Sequence, residues 1–222
     1  MASKAYRLRI AGLTLAALAP LCAHSAGFYV EAGAGSSSIG GLDRQDLDEV
    51  MTLMFEDAVD TFTINDSSVD KSDIGFSLAL GYKFTPNFAV EAAYLQLGKA
   101  RYEADVTVTT GGPPMDATTG LNFKISGPAV SLVGIWPVGE RLSLEARAGA
   151  FFAKTKVSLF LTGVSASESL GSEEETSLLL GVGALWSFTD NLGLRLGYTR
   201  LDKAMAGEGD ANSLSLGLRF SF

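Results

Sequence analysis

Seven ionisable residues stand between apolar neighbours in this sequence: Glu31, Lys83, Glu91, Glu145, Arg147, Arg195 and Arg219. Successive side chains of an extended chain point to opposite faces. Segments such as Val30-Glu31-Ala32 and Leu218-Arg219-Phe220 therefore put charge on one face and apolar groups on the other. Three acids and four bases gathered on one face suit three kinds of chemistry. Paired carboxylates serve as general acid and base, opposed charges line a pore, and charges in a narrow, poorly hydrated space neutralise one another as ion pairs. The spacing implies no substrate-sized cleft. Ion pairing is the leading expectation and a charge-lined pore the alternative.

Other catalytic chemistry is thinly supplied. The only histidine, His24, and the only cysteine, Cys22, lie in the first 25 residues. That stretch reads as a secretory signal peptide. Lys4, Arg7 and Arg9 form its basic start, Ile10 to Leu21 its apolar run, and Ala23 and Ser25 the small residues before a cleavage site at Ala26. The bulky Leu21 before Cys22 argues against a lipoprotein. Of the 17 basic residues, removing these three leaves 14 against 25 acidic ones, a net charge of −11 without thiol or imidazole. An acidic chain of this kind is no nucleic-acid binder.

The stretch 39–72 concentrates the acids: Asp43, Asp46, Asp48, Glu49, Glu56, Asp57, Asp60, Asp66 and Asp70 against Arg44 and Lys71. Asp43, Asp46 and Asp48 offer oxygens to a hard cation, but the glycine and the twelfth-position glutamate of a calcium loop are missing. No metal site and no cofactor are expected. Leu47, Val50, Met51, Met54 and Phe55 recur at helical spacing behind acids that suit a helix N-terminus. A short amphipathic helix is predicted there. Glu173, Glu174 and Glu175 read as a solvated charge run.

The elements that carry the seven charges are strands. Leu214, Leu216, Leu218, Phe220 and Phe222 alternate with small or charged residues, as do Leu192 to Tyr198, Leu178 to Phe188, Leu142 to Phe152, Ile74 to Phe84 and Phe88 to Tyr94. Weaker rows run through Val130 to Trp136 and Phe28 to Ala34. Eight strands are predicted at 28–38, 73–84, 88–110, 120–138, 141–163, 176–188, 192–201 and 212–222. Three tight turns (85–87, 137–140, 189–191) alternate with four longer segments (39–72, 111–119, 164–175, 202–211). Long loops at one end and short turns at the other are the asymmetry of outer-membrane barrels. Eight strands enclose just enough space for side chains, and the leucines and phenylalanines would overfill it, so the apolar face looks outward into lipid. Phe84, Phe88, Trp136, Phe188 and Phe222 would form an aromatic girdle at the short-turn end. Closure is required because an open edge in lipid costs several kcal/mol per unpaired group. Near Ser126-Gly127-Pro128 the apolar rows change phase, which predicts a bulge in that strand.

Residues 73–99 (DIGFSLALGYKFTPNFAVEAAYLQLGK) and 213–222 (SLSLGLRFSF) resemble the second hairpin and last strand of the OmpA-like family of small outer-membrane barrels. The resemblance implies a closed all-β, eight-stranded antiparallel transmembrane barrel. It also implies recognition of the last strand, through Leu218, Phe220 and Phe222, by the barrel-insertion machinery. The chain departs from the full-length family pattern in its long first loop and in ending at the barrel, so peptidoglycan binding is not carried over.

The expectation is a signal peptide over 1–25 and a barrel domain over 26–222 in the cell outer membrane. The barrel is read as a monomer in contact with outer-membrane lipid and lipopolysaccharide, structural in role, with no catalysis. A narrow channel or carrier for small solutes and a surface adhesin are the alternatives.

Overall fold

The computed structural model describes residues 27–56, 59–161, 164–205 and 209–222; the expected signal segment 1–25 lies outside them. Nine strands and one helix follow in the order β1 (Gly27–Ile39), α1 (Arg44–Glu56), β2 (Thr61–Asp70), β3 (Ser72–Lys83), β4 (Phe88–Thr109), β5 (Met115–Pro137), β6 (Leu142–Leu161), β7 (Val164–Ser187), β8 (Leu192–Met205) and β9 (Gly209–Ser221). Eight of them close a ring, β1-β3-β4-β5-β6-β7-β8-β9, in which every neighbour is antiparallel and β9 returns beside β1. The ring leaves no open edge in the apolar layer, where nothing but the chain could satisfy the backbone.

The predicted apolar rows face outward. Phe76, Leu78, Leu80, Leu132, Leu180, Val182, Leu196, Leu216 and Leu218 are all exposed, as lipid-facing side chains must be. The girdle residues Phe84, Phe88, Trp136, Phe188 and Phe222 are exposed at the short-turn end. Two of those turns share one device. The hydroxyl oxygen of Thr85 accepts the backbone N–H of Phe88 at 2.9 Å, and that of Thr189 accepts the N–H of Leu192 at 3.0 Å.

At the other end four expectations are corrected. The stretch 39–72 holds the predicted helix α1, with the Asp43 carboxylate accepting the N–H of Gln45 at 3.1 Å. Its last third is not loop, however: β2 pairs with β4 from Thr61↔Thr109 to Asp70↔Arg101, standing as a ninth strand above β3. Residues 164–175, predicted as a loop, are the first half of β7, paired to β6. The predicted loops 111–119 and 202–211 shrink in the same way, because β5 begins at Met115, β8 runs to Met205 and β9 begins at Gly209.

The expected bulge in β5 is absent; its register with β6 runs unbroken from Ser126↔Lys154 to Ala129↔Phe151. The irregularity lies on the facing strand, between Gln96 and Lys99 of β4. There Gly98 adopts φ 80°, and the Asp73 carboxylate accepts the N–H of Lys99 at 2.8 Å. What changes along β5 is the surroundings. Odd-numbered residues point inward throughout, but the apolar ones sit outside below Pro128 (Val130, Leu132) and inside above it (Leu121, Phe123, Ile125). On β6 the outer row passes from Phe152 to Lys154 and Lys156, while Phe151 and Ala153 are buried inside. The swap marks where the outer surroundings change from hydrocarbon to water.

Candidate functional site

Six of the seven singled-out charges meet inside the ring. Glu31 comes from β1, Glu91 from β4, Glu145 and Arg147 from β6, Arg195 from β8 and Arg219 from β9, each on the inward phase of its strand. Arg219 is the hub. Its Nε and Nη2 donate to Glu31 Oε2 at 2.9 and 2.7 Å, and Nη2 also donates to Glu145 Oε2 at 3.0 Å. Its Nη1 pairs with Glu145 Oε1. Arg195 Nε donates to Glu145 Oε2 at 3.0 Å, and Arg147 Nη2 reaches Glu91 at 3.1 Å and Glu31 at 3.4 Å. Three guanidiniums and three carboxylates thus cancel, all nearly or wholly withdrawn from solvent. Such a cluster survives burial only if each charge is matched.

Lys83 stands apart. It is half-buried, and its ammonium lies 6.0 Å from the centroid of the Tyr29 ring. It forms no ion pair among the described residues.

Tyr29 is the functional residue that the row-by-row reading passed over. Its O–H donates to Glu91 Oε2 at 2.8 Å, and the Arg219 guanidinium lies over its ring at 4.2 Å. The signal was its phase: Tyr29 is two residues from Glu31 on the same face. Small neighbours make room for these bulky groups. A Cβ on Gly81, the partner of Tyr29 across β1–β3, would lie 2.0 Å from its ring, and one on Gly197 would lie 2.2 Å from Arg195 Nη1.

Above the charges the interior turns apolar. A cavity of about 50 Å³ separates the two layers, lined among others by Ser77, Gln96, Arg147, Arg195 and Leu179. At roughly 10–15 Å³ per water it holds a few waters at most. Over it pack Leu97, Ala129, Phe151, Leu179, Leu201, Ile125 and, from α1, Leu47 and Met51. The helix is tied down by Asp48, whose carboxylate accepts the O–H of Tyr102 at 2.5 Å and of Ser67 at 3.0 Å. Asp43, Asp46 and Asp48 assemble no metal-holding group, and among the described residues no cluster of acids does.

The other singled-out residues lie on the lipid side. Leu218, Phe220 and Phe222 are exposed on the outer face, and the Phe220 and Phe222 rings meet edge-on at 5.1 Å.

A closed eight-stranded antiparallel ring with an apolar exterior is the architecture of small outer-membrane barrels. The profile of the OmpA-like transmembrane domain matches residues 23–222. The chain belongs to that family. Its location is accordingly the bacterial outer membrane. Comparison with curated protein sequences gives no match. Among solved structures, the attachment invasion locus protein Ail of Yersinia pestis is similar at 18% identity and TM-score 0.51, covering 90% of this chain and 100% of Ail. Neisserial surface protein A matches with the same figures. At that identity the likeness to these two speaks for the fold alone.

Proposed function

We propose that this OmpA-like barrel is a sealed, non-catalytic structural protein. It reinforces the outer membrane and displays an acidic surface, and its C-terminal strand is the part offered to the insertion machinery. The observation that carries the reading is the mutual closure of Glu31, Glu91, Glu145, Arg147, Arg195 and Arg219 across the lumen. A pair in a dry lumen and a pair in a water-filled channel differ measurably. Removing one partner of a buried pair costs about 3–5 kcal/mol, whereas a solvated pair is worth about 0–1 kcal/mol. The test joins planar-bilayer conductance with denaturant unfolding in micelles. The wild type should conduct negligibly, and Arg195→Met and Arg219→Met should each lose several kcal/mol. Steady ion-selective conductance of the wild type, with variants of unchanged stability, would replace the plug by a channel.

A second reading, surface attachment, has one observation in its favour. Over residues 26–222 the charges of the membrane half cancel: Glu31, Glu91, Glu140, Glu145 and Asp190 against Lys83, Arg141, Arg147, Arg195 and Arg219. The whole net charge of −11 therefore belongs to the loop half, which suits a cationic partner.

A further inference from the structure

Helix α1 is more apolar than its place in the fold requires. Leu47 and Met51 are buried in the upper core, and the half-buried Phe55 continues that face to stack on Phe62 of β2, ring centroids 5.1 Å apart. At 3.6 residues per turn, Val50, Leu53 and Met54 occupy the adjoining side. There they are 45%, 62% and 42% exposed. The six side chains together span an arc of about 200°, where a surface helix meets its core with roughly 100°. Apolar residues scattered singly over a surface need no explanation, but three at i, i+3 and i+4 form a ridge of the kind a second helix packs against.

Only acids frame this ridge. Asp46 stands in the first turn of α1, Glu49 beside Val50 and Glu56 at the end, all exposed, and none of the three enters an ion pair among the described residues. The last turn holds no base, so Glu56 adds its charge to the negative end of the helix dipole. Nothing within the fold is gained by that placement. Asp48 shows the contrast, since its carboxylate is taken up by Tyr102 and Ser67.

We propose that the Val50-Leu53-Met54 ridge docks a cationic amphipathic helix, supplied as a short peptide. The peptide lies antiparallel to α1, its apolar stripe on the ridge, its positive N-terminal end and basic side chains against Glu49, Glu56 and the end of the α1 dipole. Charge excludes a second copy of this chain, whose own ridge would bring acids against acids. Area excludes a stable complex with a globular partner, because three partly exposed side chains fall far short of the roughly 800 Å² a side that such an interface buries. This inference deepens the surface-attachment reading, on which it rests, by naming the element and the kind of partner. It does not depend on the lumen being closed.

The full barrel is placed in nanodiscs of zwitterionic phospholipid and titrated with a fluorescent lysine–leucine–alanine peptide of about 18 residues, five helical turns with one leucine stripe. A scrambled peptide of equal charge without the stripe is the control, and binding to empty nanodiscs is subtracted. Fluorescence anisotropy should show the striped peptide binding at least about tenfold more tightly than the scrambled one. The Val50→Ser/Leu53→Ser/Met54→Gln variant should lose that preference, and Glu49→Gln/Glu56→Gln should weaken binding severalfold and flatten its salt dependence. Equal binding of both peptides to the wild type overturns the docking site while leaving electrostatic attachment to the loop half intact. Binding of neither overturns both. Wild-type dimers that the triple variant loses would make a second copy the occupant and overturn the assignment as well. A further measurement needs no variant. Under mild peroxide the striped peptide must protect Met54 from oxidation to its sulfoxide, while Met115, 69% exposed at the start of β5, stays reactive. Equal oxidation of Met54 with and without peptide overturns the proposal.

Discussion

A single methyl group tests how tightly the interior is fitted. On Gly81 it would lie 2.0 Å from the Tyr29 ring, and Tyr29 both donates to Glu91 and lies under the Arg219 guanidinium. Gly81→Ala should cost about 1–3 kcal/mol by overpacking. Tyr29→Phe should cost a similar amount, about 1–3 kcal/mol, by stripping a buried carboxylate of a donor. The two together should cost clearly less than their sum, because displacing the ring already breaks the bond that the second change removes. Urea unfolding of the three variants in micelles measures this cycle; strict additivity would mean that Gly81 does not act through Tyr29. The charged members of the cluster were legible in the sequence because each interrupts an apolar alternation. Tyr29 was not, because an aromatic residue beside Phe28 and Val30 carries no contrast of its own; only its phase with Glu31 separates it from the lipid-facing row.

Among the elements, the strands that cross lipid were readable and the parts above lipid were not, for one physical reason. Both halves alternate with period two, but the sense of the alternation is opposite. Phe62, Ile64 and Val69 of β2 turn toward the interior while Thr61, Thr63 and Ser68 face water. A search for rows of outward apolar residues passes over such a strand. The first half of β7 has no apolar row in 171–176, and it is a strand because β6 offers it a ladder of backbone partners. The register slip in β4 shows at most as the glycine at 98, since the chain is re-aimed by Asp73 from another strand. Replacing 40–71 by a short Gly-Ser turn should leave the ring closed and heat-modifiable, because β3 and β4 pair below it from Phe76↔Gln96 to Lys83↔Ala89. It should also strip β4 of its upper partner and uncover Tyr102 and Val106. Limited proteolysis should then cut within 100–120 while sparing the membrane strands. A barrel that no longer folds would make α1 and β2 part of the core, and an uncut tip would make them ornamental.

For the molecule as a whole, the only two tryptophans, Trp136 and Trp186, both face outward near the short turns. In vesicles their emission should be blue-shifted and quenched most by lipids brominated near the headgroup; strongest quenching by lipids brominated at the acyl terminus would misplace the girdle. The exchange of inside for outside along β5 and β6 has a further consequence, for hydrophobic mismatch. A barrel whose exterior faded gradually from apolar to polar could ride up or down in bilayers of different thickness at small cost, of the order of fractions of a kcal/mol per Å. Here one step upward along β6 exposes Phe152 to water, and one step downward draws Lys154 into hydrocarbon. The penalty rises on both sides at once. This protein is a depth gauge with a single mark, so the surrounding bilayer has to deform to meet it.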